Sequence, residues 1–449
     1  MKKILLILVC GPLSGQTQDA LSLKDAVRLA LTGNKSIEAS DAAQKVAAAR
    51  ITEAKSGFLP KVGYSESWTR SDNPVFVFSS LLAQHQFGAQ NFQIGPLNRP
   101  DFLNNFQSQI TADQPLYNAG RTQRAVRAAG LAKSASGEDG RQTRMSVIAD
   151  VVRSYFDVLL SAERLNTANQ AMRSAQADLD RAEAIRSSGM STDADVLSIR
   201  VHLAAVHEER IRREADLDVA RAALNDALGL PLDSPHTLST AMTPAKLPDG
   251  LLADYERQAL ADRPEARQAK LAVALSANQA AMAHASLLPQ VDLHTAFEAD
   301  RQRFYDRGGD NWLVSIGLRW NLFNGFGDKA RIGESTAALH QNQAGQQRAD
   351  SAIQLQVRRA YADLRAAQQR IDVTTASVAE AVESLRITKN RYESGLNTVT
   401  DLLRTEAAVL DASTRRLAAI HDQRLAATML ELAAGSLSVD SEVLNGDLR

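Results

Sequence analysis

The sequence predicts an α+β membrane protein with four short amphipathic strands and two pairs of very long helices. Three observations support this fold class: a period of two in four short segments, a coiled-coil spacing in the long segments, and a duplication of the whole pattern. Alternation of apolar and polar residues is typical of a strand with one apolar face. Apolar residues separated by alternating steps of four and three are typical of helices packed side by side. Each half of the chain is therefore expected to contain a strand pair and a helical hairpin.

The clearest strand pattern is the segment from Trp312 to Leu322. Every even position in it is apolar, and the odd positions include Ser315. Three other segments alternate in the same way, although Glu66 interrupts the apolar face of the first. The four predicted strands are about 61–70, 106–116, 290–299 and 312–322.

A turn-forming sequence follows the second strand of each pair and leads directly into a helical pattern. These strand-to-helix junctions are predicted at Asn118, Gly120, Asn324, Gly325 and Gly327. The second junction also fits G-x-G-x-x-A, the fingerprint of dinucleotide sites. That fingerprint requires a second parallel strand ~30 residues further on, whereas helical periodicity continues to residue 392. We therefore interpret these glycines as residues that turn a strand into a helix, and we expect no cofactor.

The long helices carry an apolar seam. Its residues are Val151, Tyr155, Val158, Ala162, Leu165, Met172 and Leu179 in the first half, and Val357, Tyr361, Leu364, Ile371, Val378, Val382, Leu385 and Tyr392 in the second. As a helix, residues 328–391 would span roughly 95 Å at ~1.5 Å per residue. Gly189 and Gly395 are predicted to end the two long helices. The predicted N-caps of the returning helices are Thr192 or Asp193, and Thr398 or Thr400.

Internal similarity divides the chain into two repeats. Leu59 recurs as Leu288 after 229 residues, whereas Tyr155 recurs as Tyr361 after 206 residues. The first repeat therefore has 23 additional residues within 73–101, which we expect to form a long surface loop with short strand character. The predicted organisation is a signal peptide at 1–20, a first repeat at 21–229 with its hairpin at 121–229, a connector at 230–251, a second repeat at 252–435 with its hairpin at 328–435, and a flexible tail at 436–449.

The first 20 residues are expected to be an export signal. Lys2 and Lys3 precede a short apolar run that ends at Val9, and small and polar residues follow. Lipid attachment at Cys10 remains an alternative, because the residues around it partly resemble a lipobox, although Val9 is a poor residue at its position. Beyond this segment no run of ~18 apolar residues occurs, so no transmembrane helix is predicted.

Composition argues against several classes of function. The 51 Lys and Arg residues balance the 52 Asp and Glu residues, so no basic field favours nucleic acid. Cys10 is the only cysteine, which excludes disulfides and cysteine-based metal sites from the mature chain. His202 and His207 are five residues apart and do not share a helix face, so we interpret them, with Glu208 and Glu209, as a solvated or lumen-facing surface rather than a metal site. No grouping of side chains has a spacing that requires catalysis, and we predict that the protein is not an enzyme.

Four strands per chain are too few for a closed membrane barrel, which needs at least ~8. The barrel must then be shared between chains, with eight strands from two copies or twelve from three. Eight strands fill the lumen with side chains, whereas twelve leave room for water. An export signal, amphipathic strands and the absence of a membrane helix together point to the outer membrane of a Gram-negative bacterium, with the helices in the periplasm. The alternative from another class is a coiled-coil scaffold without a pore.

With these features the sequence resembles the TolC-like outer-membrane efflux family over nearly the whole mature chain. The resemblance rests on the paired Leu-Pro strand starts, on Leu116-Tyr117-Asn118-Ala119-Gly120 with Leu322-Phe323-Asn324-Gly325, and on the two turns that begin at Gly189 and Gly395. It implies a homotrimer with a twelve-stranded barrel that continues into an α-helical tunnel. It also implies three kinds of partner: a periplasmic adaptor, an inner-membrane pump of the RND or ABC type, and outer-membrane lipid.

The resemblance further implies roles for residues at the helical tips. Asp401 matches an acidic position that constricts the closed pore in the family, and Asp195 is its counterpart in the first repeat. Tyr392 matches a residue of the closed-state latch, whereas Arg404 stands where a second acid is frequent. The pore gate is thus expected at Asp195, Asp401, Tyr392 and Arg404. The adaptor is expected to dock on the tip turns at Gly189, Met190, Gly395 and Leu396.

Overall fold

The structure is a computed structural model that describes residues 20–188, 192–246 and 250–444. Its α-helices are α1 Leu23–Gly33, α2 Lys35–Lys55, α3 Pro74–Ala83, α4 Ile94–Asn98, α5 Arg121–Ser187, α6 Asp193–Leu228, α7 Leu252–Asp262, α8 Pro264–Ala285, α9 Gly327–Glu393 and α10 Val399–Ala434. Its strands are β1 Lys61–Ser71, β2 Leu103–Tyr117, β3 Gln290–Arg301 and β4 Gly309–Arg319. The chain forms two compact units: a sheet unit of residues 42–138 and 267–348, and a helical unit of the remaining residues.

Among the described residues, no helix combines the length and apolar character needed to cross a membrane. The predicted signal peptide, with Cys10, lies outside the described residues apart from residue 20.

The sheet unit is built on a four-stranded antiparallel sheet with the order β1-β2-β3-β4. The four predicted strands are confirmed, but the last occupies residues 309–319 instead of 312–322. Pairing explains the shift, because Arg319 lies opposite Gln290, the first residue of β3. Beyond that pair the neighbouring strand offers no partner. The Trp320 indole instead donates a hydrogen bond to the carbonyl of Leu287 at 3.1 Å.

The two faces of the sheet differ in chemistry. One face carries large exposed apolar side chains: Val62, Tyr64, Trp68, Trp312, Val314, Ile316 and Leu318. The other carries polar pairs, such as Gln109 Nε2 donating to Glu298 Oε1 at 2.6 Å and His294 Nδ1 at 2.6 Å from Asp113 Oδ1. Glu66, which interrupts the apolar pattern, is paired with Arg301 at 2.9 Å. Glu66 and Arg301 therefore satisfy each other as an ion pair on the otherwise apolar face.

Both strand-to-helix junctions use two consecutive residues in the left-handed conformation. Ala119 and Gly120 have φ of 55° and 75°, and Gly325 and Phe326 both have φ of 67°. Because 206 residues separate the matching positions, the two repeats share this backbone conformation. The glycine is the second left-handed residue in the first repeat and the first left-handed residue in the second. In each junction glycine removes the steric cost of positive φ at only one of the two residues. The repeats therefore have the backbone conformation in common, and not the position of the glycine.

The additional segment of the first repeat is helical, so the expectation of strand character in residues 73–101 was wrong. The Asn73 side chain accepts hydrogen bonds from the backbone N–H groups of Val75 and Phe76, and Pro74 occupies the first turn, a combination that starts a helix. α3 then packs against β3 and β4. A buried hydrogen-bonded chain runs from Gln84 to Asn105 at 2.7 Å and from Asn105 to Asp300 at 2.6 Å. The segment is thereby fixed to the polar face at the end of the sheet farthest from the junctions.

The helical unit buries the predicted seam and fastens the connector to it. Val151, Tyr155 and Val357 are fully buried, whereas Val382 is half exposed. The Tyr155 hydroxyl donates to the carbonyl of Leu21 at 2.8 Å and accepts from the backbone N–H of Thr240 at 3.1 Å.

The same connector is held by α10. Gln423 is fully buried and bonds both backbone groups of Ala245, accepting at 2.7 Å and donating at 2.8 Å. Arg424 donates to the carbonyl of Thr243 at 2.7 Å. Buried polar side chains thus replace the backbone partners that an irregular segment lacks.

The chain after α10 is packed up to residue 444, so the prediction of a flexible tail was wrong for residues 436–444. Leu437 and Leu444 are buried in the same core as Tyr155, and Glu442–Leu444 forms a 3₁₀ turn. Val439 and Val443 pack against the same core, so four apolar side chains anchor the segment. Residues 445–449 lie outside the described part of the chain.

Candidate functional site

The candidate site lies in the helical unit, where α5 is followed by α6 and α9 by α10. The structure describes the second connecting turn completely, but it does not describe Gly189, Met190 or Ser191 of the first. In the second turn Gly395 has φ of 69°. Its backbone N–H bonds the Tyr392 carbonyl at 2.9 Å, and the Leu396 N–H bonds the Arg391 carbonyl at 2.8 Å. This is the Schellman arrangement that ends helices at glycine, and it leaves the Leu396 side chain 68% exposed.

Asp195 and Asp401 occupy equivalent positions in the two returning helices. Thr192 and Thr398 are the N-caps, and each hydroxyl accepts a hydrogen bond from the backbone N–H of the aspartate three residues later, at 3.2 and 3.3 Å. Each aspartate accepts in return from the hydroxyl at 2.8 Å and from the backbone N–H of its threonine. Both acids therefore close a capping box, which is a structural role that exists alongside any role in a pore.

Tyr392 and Arg404 differ in how they engage these acids. Tyr392 is part of the apolar cluster at the helix ends. Burial raises the pKa of its hydroxyl, and the negative charges of Asp195 and Asp178 add to this effect. Arg404 is largely exposed, and its Nη1 lies 3.8 Å from Asp401 Oδ1 in the same helix turn. Hydrogen bonds from the side chain and backbone of Thr398 lower the pKa of Asp401, and Arg404 lowers it further. Tyr392 is thus associated with Asp195, and Arg404 with Asp401.

An apolar cluster holds the four helix ends together. Leu179 and Ala182 come from α5, Val196 and Ile199 from α6, and Val399 from α10. Ala182 and Ile199 are fully buried. The ends of the two hairpins are consequently packed against each other within one chain.

A buried polar cluster lies beside these apolar residues, and sequence reasoning missed it. Asp178 of α5 is 3% exposed and bonds Lys389 of α9, with Nζ 3.0 Å from Oδ1. Glu406 of α10 accepts from the Ser174 hydroxyl at 3.1 Å, and His202 Nε2 lies 3.5 Å from its Oε2. All four long helices contribute a charged or titratable side chain.

The two acids of this cluster titrate differently. Burial raises the pKa of Asp178 to about 6, a hydrogen bond with Glu406 adds to the shift, and Lys389 opposes it. Burial alone would raise the pKa of Glu406 as well, but hydrogen bonds from His202, Asp178 and Ser174 lower it overall. Asp178 is therefore the carboxyl group of the cluster that binds a proton more readily.

A sequence signal for this cluster did exist. Asp178 lies three residues after Ala175 and four before Ala182, within a second stripe of small buried residues on α5. Glu406 lies four residues after Leu402 and continues the spacing from Val399 on α10. An acid at a seam position of a coiled coil is costly unless it is paired. Asp178 and Glu406 were therefore detectable as exceptions to the seam.

Comparisons with known proteins agree with these features. The sequence model described as "Outer membrane efflux protein" matches residues 26–230 and 256–436, which together include both repeats. Protein CyaE of Bordetella pertussis is 27% identical, with 98% of this chain and 88% of that protein covered. The proteases secretion protein PrtF of Dickeya chrysanthemi is 23% identical, with 97% and 93% covered. The Campylobacter jejuni CmeC outer membrane channel has the same fold, with a TM-score of 0.79 at 17% identity and 94% and 87% covered.

The family consists of outer-membrane channel and efflux proteins and not of enzymes. A scaffold without a pore does not account for the amphipathic four-stranded sheet, whereas an outer-membrane exit duct does. The duplicated strand pairs and helical hairpins, matched over both repeats, show that the chain belongs to the outer membrane efflux protein family.

Proposed function

We propose that three copies of this chain close one twelve-stranded barrel, through which substrates leave the periplasm. The observation that carries the proposal is the four-stranded sheet, which has β1 and β4 as its edges and an exposed apolar face. Exposed edges need partner strands, and copies of the same sheet can supply them. Two copies would give a barrel with a filled interior, whereas three leave an aqueous lumen.

The proposed barrel presents its apolar face to lipid and its polar face to water. Trp312 and Ile316 then face the membrane, while Asp113, His294 and Glu298 face the lumen. A polar lumen suits hydrophilic cargo and does not by itself select a substrate. The energy for transport comes from the partner pump, because a passive duct supplies none.

A periplasmic adaptor is proposed to dock on the tip turns at Gly189, Met190, Gly395 and Leu396, with a pump of the RND or ABC type behind it. Leu396 supports this assignment because it is an exposed apolar residue on a turn fixed by hydrogen bonds. Similarity to a proteases secretion protein favours a secretion system as much as a drug pump.

The gate is proposed at the same tips, with Asp195 and Asp401 each present three times around the pore axis. Like charges in a narrow ring repel one another and attract cations. Tyr392 and Arg404 are proposed to favour the closed state by contacting these acids. Two observations within one chain support this division of roles: the charge of Asp195 helps to raise the pKa of Tyr392, and Arg404 lies 3.8 Å from Asp401.

Site-specific crosslinking tests the docking proposal. A photoreactive residue at Leu396 should capture an adaptor in cells, whereas the same residue at Val75, an exposed apolar position on α3, should not. Equal capture at both positions, or none at Leu396, would remove the tips as the docking surface.

A further inference from the structure

The buried cluster around Asp178 and Glu406 connects both hairpins close to the proposed gate. Asp178 lies nine residues before the end of α5, and Lys389 lies four residues before the end of α9. His202 lies nine residues after the start of α6, and Glu406 lies seven residues after the start of α10. The cluster is therefore placed where loosening of the tips would first change the packing of helices.

The geometry of this cluster favours a bound proton. Asp178 Oδ1 is occupied by Lys389, and Glu406 Oε1 by Ser174. The other oxygens, Asp178 Oδ2 and Glu406 Oε2, are buried without a well-aligned donor among the described residues. Ser174, which donates to Glu406, lies one helical turn before Asp178 on α5, so the two carboxyl groups come from facing positions and each affects the pKa of the other. A proton on one of them supplies the missing donor, whereas two adjacent buried carboxylates would repel.

The charged groups around Asp178 and Glu406 do not replace this proton. The charged or titratable groups that face the pair are Lys389 and Tyr392 of α9, Arg181 of α5, and His202 of α6. Arg181 is shared with Glu393, at 2.8 Å, and lies farther from Asp178, at 3.6 Å. Among the described residues, Lys389 is thus the cation nearest to Asp178, whereas Glu406 has only His202 beside it, which is charged only when protonated.

We propose that Asp178 and Glu406 form a proton-sharing carboxyl pair that couples periplasmic pH to the packing of the two hairpins at the gate. The proposal rests on the gate assignment above and adds its regulation. Protonation of Asp178 joins α5 to α10 through a carboxyl–carboxylate hydrogen bond. Loss of that proton leaves two buried negative charges, and exposing them to water relieves the repulsion.

The direction of the effect follows from the raised pKa. Asp178 binds its proton more tightly in the packed tips, with a pKa of about 6, than when exposed, with an ordinary value of 3.8. The packed state is therefore most favoured below the ordinary value and loses this advantage as the pH rises through 6. These values predict that the ratio of packed to loosened tips falls about tenfold between pH 5 and pH 7.5.

Spin-label distances test this directly in the full-length protein. Leu197 and Leu396, both exposed and near the ends of different hairpins, would be replaced by labelled cysteines in a Cys10→Ser background. Excess unlabelled chain would keep the measured distances within one chain. The wild-type pair should shift towards longer distances as the pH rises from 5 to 7.5, and Asp178→Asn should remain at the short distance throughout.

Asp180→Asn is the matched control, because Asp180 lies on the same helix and is exposed. It should respond to pH like the wild type. Glu406→Gln removes the charge that raises the pKa of Asp178, so the transition should move to lower pH, which keeps the test valid if Asp178→Asn folds poorly. A wild-type distance that does not change with pH, or an Asp178→Asn variant that still responds, would overturn the proposal. A pH-responsive tip in a protein that does not conduct would instead contradict the gate assignment.

Discussion

Trp312 on β4 is 76% exposed, whereas Leu402 on α10 is fully buried. The same contrast holds for polar groups, since the sheet displays Asp113 and His294 while the helical unit buries Gln423 and Asp178. In water, the helical arrangement is the ordinary one and the sheet arrangement is unstable. The difference indicates that one chain is built for two solvents, lipid around the sheet and water around the helices.

The largest expected effect comes from placing a charge on the apolar face of the sheet. Ile316→Arg should cost about 2–4 kcal/mol near the bilayer midplane and reduce the assembled protein in the outer membrane. Ser315→Arg, one residue away on the polar face, is the matched control and should assemble normally with altered conductance. Equal tolerance of both substitutions, measured by membrane fractionation, would show that the two faces do not meet different solvents.

In the helical unit, replacing a buried polar side chain with an apolar one should be destabilising. Gln423→Leu keeps a buried side chain of similar size but leaves the N–H and carbonyl of Ala245 without partners, at a cost of about 1–3 kcal/mol. Gln356→Leu, at an exposed position of α9, should change stability little. Thermal unfolding of the two variants would distinguish these outcomes. A stabilised Gln423→Leu protein would mean that the connector does not depend on this side chain.

A smaller effect is expected at the helix starts. Thr398→Ala removes the hydroxyl of the capping box and should cost about 1 kcal/mol, whereas Thr398→Ser should retain most of the stability. Hydrogen exchange of the first turn of α10 would report the local loss. Protection that is unchanged in the alanine variant would contradict the cap.

The smallest change in stability is expected for Asp401→Asn. The amide can still accept hydrogen bonds from Thr398, so the helix start should be retained. Cation selectivity in planar bilayers should nevertheless fall, because three charges leave the proposed ring. If the double variant Asp195→Asn/Asp401→Asn keeps its selectivity, the two acids serve only as capping residues.

Features repeated along the chain were predictable, and features that depend on a distant partner were not. The strands, the junctions at Asn118 and Asn324, and the Thr398 cap follow from periodicity and local hydrogen bonding. The end of β4 depends on where β3 begins, which the alternation through Leu322 does not reveal. The helix at Pro74 begins at Asn73-Pro74, which is a helix start, but the loop-like composition of residues 73–101 obscures it.

The residues of the candidate site also differ in whether a local sequence pattern could predict them. The gate roles of Asp195, Tyr392, Asp401 and Arg404 are predictions that rest on the family resemblance of the two matched turns. Asp178, by contrast, is a single acid in a stripe of alanines, and its partners Lys389 and Glu406 come from two other helices that only the fold brings together. A local pattern could mark Asp178 as unusual but could not identify Lys389 or Glu406 as its partners.

The central claim is that four strands per chain become a pore only when three chains share them. Native mass spectrometry of the detergent-solubilised protein, followed by single-channel recording of the same preparation, tests it most directly. We expect a species of three protomers that conducts, and loss of conductance when that species is dissociated. A monodisperse monomer or dimer that conducts would contradict it.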